Sequence, residues 1–296
     1  MTLDQIMKLR SLAKGASMGG RFMLPLRVLR RVFHGADGTA ELHDFDGDLS
    51  VDLRLSEHMQ SRIFWMGYYS REVVATLNRL LEPGMTFIDA GANFGEISMI
   101  AAKRVGPSGK VLSIEPVSSH ADTLEHNLRR NGLHWAEVVR TAVSDHIGSQ
   151  EIYASCVKDA RDSENLGLNS LYAGEGSGTA VESVAVTTLD ALVERTGLGR
   201  IDVIKIDIEG SELPCLVGAR ETISRHLPYL VIEVQSSSTD AAGYKQTDIL
   251  SELRRYGYQF QTTATSGALN EVDELSLGSY QNVLCTPPGR VKIARL

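Results

Sequence analysis

Three charged side chains alternate with isoleucines in "IDVIKIDIEGSELPCLVGA", residues 201–219. Period two puts Lys205, Asp207 and Glu209 on one side of an extended segment and Ile204, Ile206 and Ile208 on the other. Charges in a central strand are costly unless paired. Lys205 is therefore expected to be buried against Asp207, or against Glu233 of the neighbouring run "VIEV". Two carboxylates at the carboxyl end of a strand can take a proton from a nucleophile, or hold a hard cation such as Mg²⁺. With no third ligand in view, direct base catalysis is the preferred assignment. A purely structural ion-pair network accounts for the same charges and is compatible with it. Glu212 opens the following helix, where the macrodipole favours an acid in any case.

The second dense stretch is "FIDAGANFGEISMIAAKRVGPSGKVLSIEP", residues 87–116. An apolar run ends in Asp89, a turn carries Gly91 and Gly95, a helical pattern follows, and a second apolar run ends in Glu115. Glycines there let backbone approach a ligand closely. A carboxylate at the end of the second strand can accept hydrogen bonds from both hydroxyls of a ribose. NAD and S-adenosylmethionine both meet these terms. A dinucleotide turn normally reads G-x-G-x-x-G, to seat a pyrophosphate on the helix N-terminus. Here the spacing is G-x-x-x-G, and Asp89 would repel a pyrophosphate while suiting the cationic amino group or sulfonium of S-adenosylmethionine. The residues thus favour S-adenosylmethionine over NAD.

The elements that position these groups are legible as a pattern. From about residue 70 strands alternate with amphipathic helices, which predicts a doubly wound, mostly parallel α/β sheet. "YQFQTT" and "YQNVLCTP" follow each other without a helix between them, so the last strand is expected to be antiparallel. Residues 144–186, with the Gly- and Ser-rich "GLNSLYAGEGSGTA", interrupt the rhythm and are expected to form a substrate lid. Its part from 163 to 180 is expected to order over the site when acceptor binds. Residues 39–55 read as a β-hairpin. Their "DFDGD" lacks the twelfth-position glutamate of a calcium loop, because Leu55 stands there. Residues 1–55 are therefore taken as a basic helical and hairpin extension, and 56–296 as the main domain.

Composition sets further bounds. The chain has 296 residues, 43% hydrophobic, with a formal net charge of -7, which argues against an obligate nucleic-acid binder. The first 34 residues carry Lys8, Arg10, Lys14, Arg21, Arg27, Arg30 and Arg31 against Asp4. A lead-in packed on the core or on a partner subunit is the preferred reading. The alternative is peripheral contact with a membrane surface. Neither a bilayer-spanning apolar run nor a secretory signal is found, so a cytoplasmic location is expected. Cys156, Cys215 and Cys285 are isolated, and the eight histidines are scattered without a close pair.

Taken together, "FIDAGANFG", "SIEP" and "IDVIKIDIEGSELPCLVGA" resemble the FkbM family of S-adenosylmethionine-dependent methyltransferases, over roughly residues 60–265. The resemblance implies a seven-stranded Rossmann-like fold and methyl transfer to hydroxyls of sugars, glycolipids and polyketide-type natural products. It implies Asp89, Gly91, Asn93 and Gly95 around the methionine part of the cofactor and Glu115 on the ribose. It further implies Ala142 to Asp145, Ser144 included, beside the adenine, and Asp207 and Glu209 toward the acceptor. A small-molecule, glycan or glycolipid acceptor follows, and a homo-oligomer stays open. Two alternatives remain. Amine methylation is disfavoured because Asp207-Ile208-Glu209-Gly210 stands where an Asn/Asp-Pro-Pro-aromatic loop would be needed. A non-catalytic cofactor-binding protein would not need Asp207 and Glu209.

Overall fold

The computed structural model describes residues 3–16, 24–33, 38–154, 169–172, 180–263, 268–272 and 277–290. Contacts divide them into a unit that runs to Tyr69 and a larger unit from Ser70, and each is described by itself. Among the described residues, no helix is long and apolar enough to cross a membrane.

The smaller unit holds α1 (Leu3–Ala16), α2 (Leu24–Val32), the hairpin of β1 (Thr39–Phe45) and β2 (Leu49–Arg54), and α3 (His58–Met66). The hairpin buries Leu42, Phe45, Val51 and Leu53, and a register shift between Leu42 and Phe45 breaks the simple alternation there. The turn uses positive φ at Asp46 (47°) and Gly47 (100°), residue types that tolerate that region best. The acids of "DFDGD" are engaged in the fold: Arg10 donates to Asp44, and the Tyr68 hydroxyl donates to Asp46. Phe33 stacks on Trp65 of α3 with ring centroids 5.9 Å apart. Contacts thus put α3 with the N-terminal unit, whereas the sequence pattern begins the main domain at residue 56. The difference comes from Ile63, Phe64 and Trp65, whose apolar face is buried in this unit.

In the larger unit α4 (Arg71–Leu80) leads into β3 (Thr86–Ala90), α5 (Glu96–Val105), β4 (Lys110–Ile114), α6 (Ser118–Arg130) and β5 (Ala136–Val139). An excursion follows through β6 (Ala142–Val143), β7 (Gly148–Ala154), β8 (Asn169–Ser170) and β9 (Ala180–Thr187). The rhythm resumes with α7 (Leu189–Thr196), β10 (Val203–Ile206), α8 (Glu212–Val217), α9 (Arg220–His226), β11 (Tyr229–Gln235), α10 (Ser236–Ala241) and α11 (Gln246–Arg254). It closes with β12 (Gln259–Thr263), β13 (Leu269–Glu271) and β14 (Tyr280–Thr286).

Eight of these strands form one sheet in the order β13-β12-β14-β11-β10-β3-β4-β5. From β11 to β5 neighbours run parallel, and β14 lies antiparallel between β11 and β12. This is the doubly wound, mostly parallel Rossmann-like sheet with the antiparallel last strand that the sequence pattern predicts. To the seven strands expected, the three-residue β13 adds an edge. Chain order reverses beside β3, between β4 on one side and β10 on the other, which opens a crevice at the carboxyl ends of these strands. β3 and β10 are buried from end to end. Ile88, Ile114, Ile204, Ile206, Leu230 and Ile232 are among the side chains that carry them into one core.

Three segments depart from the sequence pattern. "AEVVRTAV" is two strands, not one, because the chain leaves the large sheet after Val139 and β6 pairs with β9 instead. Residues 212–226 are two helices. A Cβ on Gly218 would overlap the Ser144 carbonyl, so the backbone is held there and the helix breaks. In the 144–186 stretch the described residues supply β7, β8 and most of β9, which with β6 form the sheet β6-β9-β7-β8. Residues 163–168 and 173–179, the greater part of the expected lid, lie outside the described residues.

Candidate active site

The turn after β3 is built on backbone that side chains resist. Gly91 (φ 82°), Asn93 (φ 50°) and Gly95 (φ 103°) all take positive φ. A Cβ on Gly91 would overlap the Asp207 carbonyl, and one on Gly95 would collide with Leu124. Glycine at these two places lets the end of β10 and helix α6 press against the turn.

Beneath the turn lies a buried charge cluster. Asp89 is 0% exposed; the Ser98 hydroxyl donates to its Oδ2 at 2.7 Å, and Ser113 donates to Ser98 at 2.8 Å. Lys205 Nζ lies 3.3 Å from Asp89 Oδ1 and 3.5 Å from Asp207 Oδ2, and it donates to the Gly91 carbonyl at 2.8 Å. Burial alone would lower the Lys205 pKa, but Asp207 and Asp89 outweigh it and raise it. Burial raises Asp89 above the usual carboxylate range, against the opposing pull of the Lys205 ammonium. The sequence pattern pairs Lys205 with Asp207 or Glu233; the ion pairs are to Asp207 and to Asp89, the second unforeseen. Asp89, expected to meet the cofactor's cation, is seated under the turn with its carboxylate taken by Lys205 and Ser98.

Glu115 ends β4 at 5% exposure. Its Oε2 accepts from the Asn93 backbone N–H at 2.8 Å and its Oε1 from that of Val117 at 2.9 Å. His120 Nδ1 is 3.7 Å from the same Oε1. Ala142 and Ser144 are buried at the end of β6, whereas Asp145 is exposed and bonded to His146 at 2.9 Å. That bond holds the Asp145 carboxyl below its ordinary value.

At the end of β10 three carboxylates converge. One oxygen each of Asp207, Glu209 and Glu233 lie within 4.8 Å of one another. Burial and the Asp207 and Glu212 charges push Glu209 up to about 8, although Ser238 donates to it at 3.1 Å. Burial, with Asp207 and Glu209 beside it, also lifts Glu233 well above its ordinary value. Glu233, the alternative partner the sequence offers Lys205, lies with the acids and acts on the ammonium through its charge. Its signal in the sequence is the one that marks β10, a charged residue inside an apolar strand. Glu209 itself adopts φ 51°, and Ser170 of β8 donates to its carbonyl at 2.6 Å.

A stability prediction follows from Glu209. Between 4.5 and about 8 the native state keeps a proton that the unfolded chain has released. The stability this proton contributes is complete below 4.5 and lost as pH rises through about 8. Glu209→Gln is neutral at every pH. It should melt with the wild type at about pH 4 and above it at about pH 9. Equal melting shifts at both pH values would refute the assignment.

Comparison with known proteins bears on the same residues. The family described as "Methyltransferase FkbM domain" matches residues 89–260. The AMB antimetabolite synthetase AmbE of Pseudomonas aeruginosa is 24% identical over 237 residues, which are 71% of this chain and 11% of that protein. The chain therefore spans only a small part of that relative's length. The 31-O-demethyl-FK506 methyltransferase FkbM of Streptomyces tacrolimicus is 28% identical over 200 residues, 60% of this chain and 74% of that protein. Among solved structures, a methyltransferase FkbM from Methylobacillus flagellatus superposes with TM-score 0.43 and 18% identity, covering 77% of this chain and 53% of the other.

Proposed function

The chain belongs to the FkbM methyltransferase family, and from that premise we propose that it moves a methyl group from S-adenosylmethionine to a hydroxyl of a sugar, glycolipid or natural product. The observation that carries this reading is one crevice holding both halves of the chemistry. The glycine turn and Glu115 stand at the ends of β3 and β4, and the three acids at the ends of β10 and β11. The relative from Streptomyces tacrolimicus is named for an O-demethyl substrate, and the hydroxyl acceptor class is carried over on that basis.

The residues fit the cofactor. Gly91 and Gly95 would present bare backbone to its methionine part, with Asn93 between them in the turn and Asp89 and Lys205 below. Each Glu115 oxygen accepts one backbone N–H, which leaves lone pairs for two ribose hydroxyls. Ala142, Ser144 and Asp145 would border the adenine. S-adenosylmethionine supplies an electrophilic methyl group on a sulfonium. The protein must hold the acceptor oxygen in line with it. A hydroxyl is a weak nucleophile near neutral pH and needs a base. Asp207 takes its proton, beside Glu209 and Glu233, whose burial favours their protonated forms near neutral pH and leaves Asp207 as the base. Lys205 positions Asp207 and is not itself consumed.

Calorimetry tests the cofactor half. Glu115→Ala should weaken S-adenosylhomocysteine binding by about 1–3 kcal/mol, the cost of lost charge-assisted hydrogen bonds. Unchanged affinity in this variant would remove Glu115 from the site. Labelled S-adenosylmethionine with fractionated cell extract tests the acceptor half. Label on an oxygen supports the reading, label on nitrogen replaces it with amine methylation, and no label leaves a non-catalytic binder.

A second reading gains from Glu233. A third carboxylate beside Asp207 and Glu209 supplies the ligand that the sequence lacked for a hard cation such as Mg²⁺. Activity abolished by EDTA and restored by Mg²⁺ would favour that route over direct base catalysis.

A further inference from the structure

We propose that Glu212 is a positioning residue for the acceptor site, because its carboxylate gathers the backbone of the turn 207–211 and so aims Asp207 and Glu209. The inference rests on the reading that these two acids face the acceptor. Glu212 is 3% exposed and sits at the start of α8. Its Oε1 accepts from the Ile208 N–H at 3.0 Å, and Gly210 N–H lies 3.2 Å from Oε1 and 3.0 Å from Oε2. The Tyr244 hydroxyl closes the other side, 3.0 Å from Glu212 Oε2 and 2.9 Å from the Gly210 carbonyl. One carboxylate therefore fixes the residues on either side of Glu209.

The turn needs such a clamp. Glu209 (φ 51°) and Gly210 (φ 102°) are consecutive residues at positive φ, and the first carries a side chain. A non-glycine residue there costs energy and persists only where its surroundings over-determine it. The N–H groups of Ile208 and Gly210 have turned out of the β10 ladder, and Glu212 is the acceptor that meets both. The carboxylate acts through the Ile208 and Gly210 N–H groups. An acid that served only the helix macrodipole would sit at an exposed first turn, not be spent on donors N-terminal to its own helix.

Glu212→Gln and Tyr244→Phe test this. A glutamine that keeps its oxygen at the Oε1 position places an NH₂ group where Oε2 met the Gly210 N–H at 3.0 Å and the Tyr244 hydroxyl at 3.0 Å, setting donor against donor at Gly210. Three quantities are read: methyl incorporation from labelled S-adenosylmethionine into cell-extract fractions, S-adenosylhomocysteine affinity by calorimetry, and exchange of the Ile208 and Gly210 amides by NMR. Glu212→Gln should lower incorporation roughly tenfold to a hundredfold, since small misplacements of reacting groups cost that much. Cofactor affinity should stay within about twofold of wild type, while the two amides exchange faster. Tyr244→Phe should move all three the same way by less, and it decides the question should Glu212→Gln fail to fold. Wild-type incorporation by the folded variant would overturn the inference, as would a loss of cofactor affinity in proportion to activity. Wild-type protein that transfers no label sinks the functional reading and this inference with it; wild-type transfer matched by both variants sinks this inference alone.

Discussion

Lys205→Met should destabilise the protein by about 3–5 kcal/mol, the range for removing one partner of a buried ion pair. The ammonium lies between a carboxylate that is 0% exposed and one that is 28% exposed. Without it Asp89 keeps the Ser98 hydroxyl but loses its counter-charge. The Gly91 carbonyl loses its donor too, so the cofactor turn loosens with the sheet below it. The loss has a pH signature. In the variant Asp89 is held above its ordinary 3.8 by burial with less to oppose it. The native state then keeps a proton that the unfolded state gives up, and its benefit fades as pH rises. The gap to wild type should widen from about pH 4 to about pH 8. Urea unfolding at the two pH values measures it. Adding Asp89→Asn to Lys205→Met should recover most of the loss. A single variant within about 1 kcal/mol of wild type at both pH values would show that the pair contributes little.

Asp207→Asn should cut methyl transfer by roughly a hundredfold or more, the lower end of what a positioned base contributes. The amide keeps the shape but cannot take a proton from a hydroxyl. Lys205 still has Asp89, so the turn and the cofactor affinity should change little. The expected result is a fall in turnover with S-adenosylhomocysteine binding within about twofold of wild type. An Asp207→Asn enzyme with full turnover would remove this residue from both the base and the metal readings. Loss of cofactor binding in the same measure as turnover would assign Asp207 a structural part only.

Much of this arrangement was legible because it is written in local patterns. The alternation of Lys205, Asp207 and Glu209 with isoleucines marks a buried strand whose end carries charge. Gly91, Gly95 and Glu115 lie within one strand–turn–helix–strand unit, where spacing along the chain translates directly into position. The antiparallel β14 was foreseen from the missing helix before it. What escaped depends on contacts between residues far apart in the chain. Asp89 meets Lys205 only because β3 and β10 are neighbours, with Asp89 and Lys205 in register. Glu233 joins Asp207 and Glu209 through the pairing of β10 with β11, and Glu212, at the start of α8, finds Tyr244 in the turn before α11. The break at Gly218 is set by the Ser144 carbonyl, which no helical propensity could announce.

The place of β14 has a consequence for how the chain comes off the ribosome. Tyr280–Thr286 forms the antiparallel partner of both β11 and β12. Every strand from β3 to β11 is synthesised and can pair before it, yet the flank of β11 stays bare until Tyr280 has emerged. An apolar strand with an unpaired edge is a template for another chain. The outer flank of β11, the strand that carries Glu233, is thus the part of the nascent sheet that waits for β14 and is open to wrong partners meanwhile. Pauses in translation between Gln235 and Tyr280 would lengthen that exposure, and a chaperone that shields sheet edges would matter most in that interval.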